Sequence, residues 1–180
     1  VICQSNLNEL KVIISNFPLT RVKKGEFLLK SGRRCDKLCF VQSGLLRMFV
    51  TTDGKEVTQW ISTQGHFSTD LSSFIFENPS RWNIQALVDT EIYVITKENY
   101  QKIGALVPKW HELEKLFLIQ CFIALENRVF SHLSMTAKER YDAFFEQNSA
   151  LFNQVPLQFI ASLLGMTPET FSRIRKKRLS

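Results

Sequence analysis

Several things are scarce or missing in this sequence, and each absence narrows what it can be. Cysteine is scarce: Cys3, Cys35, Cys39 and Cys121 fall at irregular spacing in 180 residues. A chain of this size needs no disulfide staples, so buried structural thiols in a reducing compartment are expected. Long apolar runs are missing. The longest, Leu116 to Leu125, is broken by Gln120 and falls far short of the roughly 20 residues of a membrane span. No signal peptide is evident, so a cytoplasmic protein with no membrane partner is expected, and the opening Val1 suggests that a few residues precede it. No nucleophile–base pairing, phosphate loop or metal-ligand spacing is visible, and His66, His111 and His132 are scattered. Neither an enzyme nor a metal site is therefore expected.

Apolar residues make up 44% of the chain and charged residues 22%, the balance of an ordinary globular protein. Fifteen phenylalanines supply bulky core material. The formal net charge is +6, and it is unevenly spread, since five of the six residues from Arg173 to Arg178 are basic. Such clustering points to a polyanionic partner.

The pattern changes twice along the chain. Residues 4–16 form a short amphipathic segment, with Leu7, Leu10, Ile13 and Ile14 at helical spacing. From Leu19 to Ile95 short β-rich runs follow, among them Lys37 to Val41, Leu45 to Thr51, Glu56 to Ser62, Trp82 to Val88 and Glu91 to Ile95. Asp53-Gly54 between two such runs predicts a type I′ hairpin, whose two central residues need positive φ. Short strands at this spacing predict a sandwich or barrel.

Beyond Pro108 the chain reads as helical. Trp110 to Leu133 holds neither glycine nor proline and would extend about 36 Å as one helix. It is apolar on nearly every side around Leu116 to Leu125, so one core cannot be its only neighbour. A second copy of the chain is the expected cover, with a larger core of its own as the alternative. The expected dimer face comprises Leu113, Leu116, Phe117, Gln120, Ile123, Ala124 and Phe130. Thr136 with Glu139 has the form of a capping box that starts a further helix to about Gln147.

The segment from Pro156 to Leu179 carries the most constraints per residue. A helix from Leu157 ends at Gly165, where a left-handed conformation is favoured. Thr167 then caps a second helix that opens on Pro168. Ala161 is small where two helices must cross, and Ile160, Leu164, Met166, Phe171 and Ile174 can lock the corner, with the stem of Arg178 also turned inward. Glu169, Ser172, Arg173 and Lys176 recur at helical spacing as one polar stripe. This is a helix-turn-helix whose second helix can enter a major groove. The expected DNA-contacting set is Thr167, Glu169, Thr170, Ser172, Arg173, Lys176 and Lys177. Arg173 can pair with guanine, Glu169 can accept from cytosine, and the two lysines can meet phosphates.

From about residue 5 to residue 178 the chain resembles the Crp/Fnr family of bacterial regulators. Phe40-Val-Gln-Ser-Gly-Leu-Leu-Arg-Met-Phe-Val, Asp53-Gly-Lys-Glu-Val and Gly65-His-Phe are similar to that family's cyclic-nucleotide-binding-like roll. Glu169-Thr-Phe-Ser-Arg173 is similar to the recognition helix of its Fnr branch. The resemblance implies an α+β protein in three parts. Residues 1–107 would be an antiparallel double-stranded β-helix, a jelly-roll-like β-roll that senses a small molecule. Residues 108–134 would be a long dimerisation helix, and residues 135–180 an all-α helix-turn-helix domain. It further implies a homodimer on double-stranded DNA, reading a palindrome with TTGA-like arms, and RNA polymerase as a further partner. Pro168 stands where the family often places a DNA contact, which bears on that preference. A docking module for a protein partner is the alternative reading.

The effector pocket departs from the family pattern. Cyclic AMP binders carry Gly-Glu-Leu near the phosphate and an Arg-Ser pair some ten residues later. Here the stretches are Thr69-Asp70-Leu71 and Ser80-Arg81. The reversed pair would aim Arg81 elsewhere, because neighbouring strand residues face opposite ways. Cyclic AMP is therefore not the expected effector; another small effector, or none, stays open. An iron–sulfur cluster is not expected, since only Cys3 lies near the N-terminus. The family's β-hairpin wing would follow Ser180, or else this is a wingless branch in which the basic run Arg175 to Arg178 supplies the backbone contacts the wing would have made.

Overall fold

The computed structural model describes residues 7–179; Cys3, the first residues of the expected N-terminal helix and Ser180 lie outside them. The chain divides into two compact units, the first running to Val50 and then over Trp60–Gln120, the second comprising Thr51–Gln59 and Cys121–Ser180.

α1 (Leu7–Ser15) precedes eight strands, which belong to the first unit except over Thr51–Gln59. One sheet has the order β1 (Leu19–Val22), β8 (Thr90–Thr96), β3 (Lys37–Ser43) and β6 (Phe67–Ser68). The other has the order β2 (Phe27–Leu29), β7 (Asn83–Ala86), β4 (Leu46–Thr52) and β5 (Lys55–Ser62). Pairing is antiparallel, and together the sheets form the expected β-roll. Val41, Ile92 and Ile95 of the first sheet share one core with Leu46, Ile84 and Ala86 of the second. The β4–β5 turn has φ of 51° at Asp53 and 71° at Gly54, the conformation anticipated for that dipeptide.

Two helices in this unit were not expected. α2 (Leu71–Phe76) starts on Asp70, whose side chain caps it, and α3 (Lys97–Leu106) starts on Thr96, which accepts from the backbone N–H of Asn99. Both caps are readable sequence signals. They were masked by the apolar β-branched texture on either side.

Cys35 and Cys39 are buried, and burial, with the neighbouring Cys35 as the next cause, pushes the Cys39 thiol up to about 12. Gly44, between β3 and β4, has φ of +93° and lies against β8: a Cβ there would come within 2.5 Å of Thr90 Oγ1 and 2.7 Å of the Thr90 backbone. Thr90 Oγ1 in turn accepts from the backbone N–H of Leu45 at 3.1 Å.

The second unit holds the C-terminal part of α4 (Trp110–Ser134), then α5 (Ala137–Asn148), α6 (Leu151–Gln154), α7 (Leu157–Leu163) and α8 (Pro168–Leu179). The capping box at Thr136 is complete in both directions. Tyr141 meets Phe152 and Phe171 edge-on and those two stack in its core, with ring centroids 5.2–5.9 Å apart.

Gly44→Ala is expected to lower unfolding stability by about 2–4 kcal/mol, because backbone rather than a flexible side chain must yield; urea denaturation measures it. Alkaline pH should destabilise the protein through Cys39. The folded thiol keeps its proton to about 12 while an unfolded one loses it near 9.0. This contribution is complete below pH 9 and falls as pH rises towards 12, by roughly 1 kcal/mol per pH unit. Stability curves for the protein and Cys39→Ala over that range should differ in slope.

Candidate nucleic-acid interface

The corner between α7 and α8 is set by a few local constraints. Gly165 has φ of +66°, and the backbone N–H of Met166 reaches back to the carbonyl of Ala161 at 3.0 Å, which closes the end of α7. The Cβ position of Gly165 lies 3.1 Å from the ring of His132, but it is the positive φ that favours glycine at this turn. Ala161 and Ile160 are fully buried at the crossing and Phe171 nearly so. Thr167 Oγ1 accepts from the backbone N–H of Thr170 at 3.3 Å, and Pro168 occupies the first position of α8.

Two guanidinium groups hold the C-terminal carbonyls of α7. Arg128 of α4 donates to Leu163 O at 3.2 Å and also to Gln59 O. Arg140 of α5 donates to Leu164 O at 3.0 Å and to Met135 O at 2.7 Å. Burial lowers the pKa of Arg128. Ser162 joins α7 to the β4–β5 hairpin: its hydroxyl accepts from Thr58 N at 2.9 Å and donates to Glu56 O at 3.3 Å.

On this frame Thr167, Glu169, Ser172, Arg173, Lys176 and Lys177 are exposed and Thr170 is half-buried. The Glu169 carboxyl lies below its ordinary range because its own backbone N–H and then the Thr167 hydroxyl hydrogen-bond to it. A fold-back of that kind competes with any contact it makes to a base. Arg178 lies over the Phe145 ring at 4.2 Å and pairs with Asp142 at 2.7 Å. Sequence reasoning missed Lys138. It stands at the start of α5 and lines a cavity of about 460 Å³ with Thr136, Thr170, Arg173 and Lys177. Its own partner, Asp142, is shared with Arg178.

α4 is 25 residues long, and none of its residues is buried. Leu113 is half-buried, and Phe117, expected in the dimer face, instead packs edge-on against Phe67 with centroids 4.6 Å apart. Glu114 accepts from Tyr100 on the same side; burial, and then this hydrogen bond, raises the Tyr100 pKa. Helical geometry puts positions 113, 114, 117, 121 and 128 on one face, so Phe117 belongs to the protein's own packing. Leu116, Gln120, Ile123, Ala124 and Phe130 are exposed. The same outward surface includes Leu118, Ile119, Phe122, Leu125, Val129 and Leu133, which the expected set omitted.

By length and mean hydropathy (1.2) α4 would suffice to cross a membrane, although its longest apolar run is short. Its packing against Phe67 and Tyr100 and the hydrogen bonds of Arg128 tie it instead to folded protein.

Of the five residues expected at the effector pocket, Asp70 and Ser80 meet, while Leu71 and Arg81 are exposed. The Asp70 carboxylate accepts from Ser73 N at 3.2 Å and from Ser80 Oγ at 2.7 Å. Thr69 Oγ1 donates to Lys37 O at 2.9 Å, Leu71 is exposed, and Arg81 is exposed beside Trp82 with its guanidinium 5.7 Å from that ring.

The family model for the cyclic nucleotide-binding domain matches residues 19–105. The transcriptional activator protein FnrA of Stutzerimonas stutzeri is 29% identical over 167 residues, 85% of this chain and 67% of that protein. Among solved structures, the c-di-GMP responsive global regulator CLP of Xanthomonas campestris superposes with a TM-score of 0.75 at 16% identity, over 97% of this chain and 92% of that one. The Thermus thermophilus catabolite activator protein matches with a TM-score of 0.60 at 23% identity, over 98% of this chain and 84% of the other. The roll, the helical corner and these likenesses agree: residues 19–105 match the cyclic nucleotide-binding domain, and the chain is similar over 85% of its length to a transcriptional activator.

Proposed function

We propose that this protein is a homodimeric transcription regulator that reads a DNA palindrome with TTGA-like arms through α8. The observation that carries the reading is the exposed stripe Glu169, Ser172, Arg173 and Lys176 on a helix whose start is held by Thr167 and whose approach is set by Gly165. A helix so presented can put its N-terminal residues at base edges in a major groove. Arg173 takes the role of the guanine reader, and Lys176, Lys177 and Lys138 lie beside it for the phosphates. RNA polymerase is a further partner in this reading.

The second copy covers the outward face of α4. Nine large apolar side chains between Leu116 and Leu133 are exposed on it, more than a solvated helix tolerates. A two-fold axis along this face would present two α8 helices to half-sites about one helical turn apart. Residues 1–107, 108–134 and 135–180 are then the sensor, the dimerisation helix and the DNA-binding domain.

Arg173→Ala should weaken binding to the selected palindrome by about 1–3 kcal/mol and relax preference at one base position, as read by titration against a panel of single-base variants. Unchanged affinity and preference would remove Arg173 as the reader. Phe130→Glu together with Phe122→Glu should turn the dimer into a folded monomer with weaker operator binding; sedimentation and circular dichroism check both halves. A double variant that stays dimeric would exclude this face of α4 as the interface.

A further inference from the structure

We infer that the β-roll of this chain satisfies its cyclic-nucleotide cassette internally, with Asp70 in place of the ligand's anion, and that the protein reads DNA with no cyclic nucleotide bound. The second half rests on the DNA-binding reading; the first does not.

A cyclic nucleotide brings one phosphate anion, which needs hydrogen-bond donors and a cation from the segments around residues 69–71 and 80–81. In this chain those donors are already committed. Asp70, Ser73 and Ser80 are 8%, 1% and 3% exposed, out of reach of bulk water. Asp70 Oδ2 takes the Ser80 hydroxyl proton at 2.7 Å and Oδ1 takes the backbone N–H of Ser73 at 3.2 Å. Ser80 Oγ accepts in return from Trp82 N at 2.9 Å. Ser73 Oγ gives its proton to Asn78 O at 2.6 Å and accepts from Cys35 N at 2.8 Å. Each hydroxyl has one proton to donate, and each has spent it inside the fold.

The reversal of Ser80 and Arg81 explains how this arises. Ser80 is pinned by its backbone, which donates to Arg33 O at 2.8 Å and accepts from Gly32 N at 2.7 Å. With that backbone held in the bend before β7, the hydroxyl enters the fold while Arg81 is exposed. A bound phosphate would therefore lack the guanidinium that its charge needs. It would also have to displace a partner that is already present intramolecularly.

The test uses the full chain. Thermal unfolding is followed with and without cyclic AMP or cyclic GMP at about 1 mM, and operator binding is titrated under the same conditions. The expected result is a Tm within about 1 °C of the unliganded value and a DNA affinity within about two-fold. A specific site some hundred-fold tighter than that concentration would raise Tm by about 5–10 °C, and such a rise would overturn the inference. So would DNA binding that appears only when a cyclic nucleotide is added. The thermal arm reads the roll alone: loss of all DNA binding with an unresponsive Tm would end the DNA-binding reading and support the closed cassette. Asp70→Ala and Ser80→Ala should each lower Tm by about 2–6 °C, and together by less than the sum of the two, since they share one hydrogen bond. Strictly additive losses would overturn the pairing.

Discussion

The presentation of α8 depends on how the end of α7 is held. A helix end leaves carbonyls without partners, and here Leu163 and Leu164 hand theirs to Arg128 and Arg140. Charge-assisted bonds of this kind are stronger and more directional than neutral ones, and both arginines spend further donors on Gln59 and Met135. α7 is thereby fastened to α4, α5 and the β4–β5 hairpin within one compact unit. Gly165 and Thr167 then need only turn the chain and start α8.

A second constraint runs through α4. One of its faces is held by Phe67, Tyr100 and Arg128, and the rest is apolar and exposed. Its residues belong to both units, Trp110 to Gln120 with the roll and the remainder with the helix-turn-helix. In the proposed dimer a two-fold partner covers the exposed face, which ties the assembly to the element shared by both units. Asp70 and Ser80 serve a parallel end in the roll, where a carboxylate and a hydroxyl settle α2 with no outside group.

The helix-turn-helix was legible because each of its constraints is local: glycine for a left-handed turn, threonine as cap, proline in the first turn, and a polar stripe at helical spacing. The Asp53-Gly54 hairpin and the Thr136 capping box were legible for the same reason. α2 and α3 escaped notice because their caps, Asp70 and Thr96, sit among β-rich residues, and α6 because four residues show no periodicity. Phe117 was assigned to the dimer face because composition alone does not tell one apolar side of α4 from another. Lys138 was missed because its place beside Arg173 depends on the packing of α5 against α8.

By itself the sequence determined the order of roll, long helix and helical corner, the turn at Gly165, the cap at Thr167 and the residues on the outer face of α8. Those features follow from φ preferences, capping and periodicity, which act within a few residues. Only the tertiary structure decided which side of α4 is left uncovered, which arginines hold α7, and that Asp70 accepts from Ser80. These depend on groups between ten and about seventy residues apart in sequence, and their meeting is settled by packing, not by local pattern.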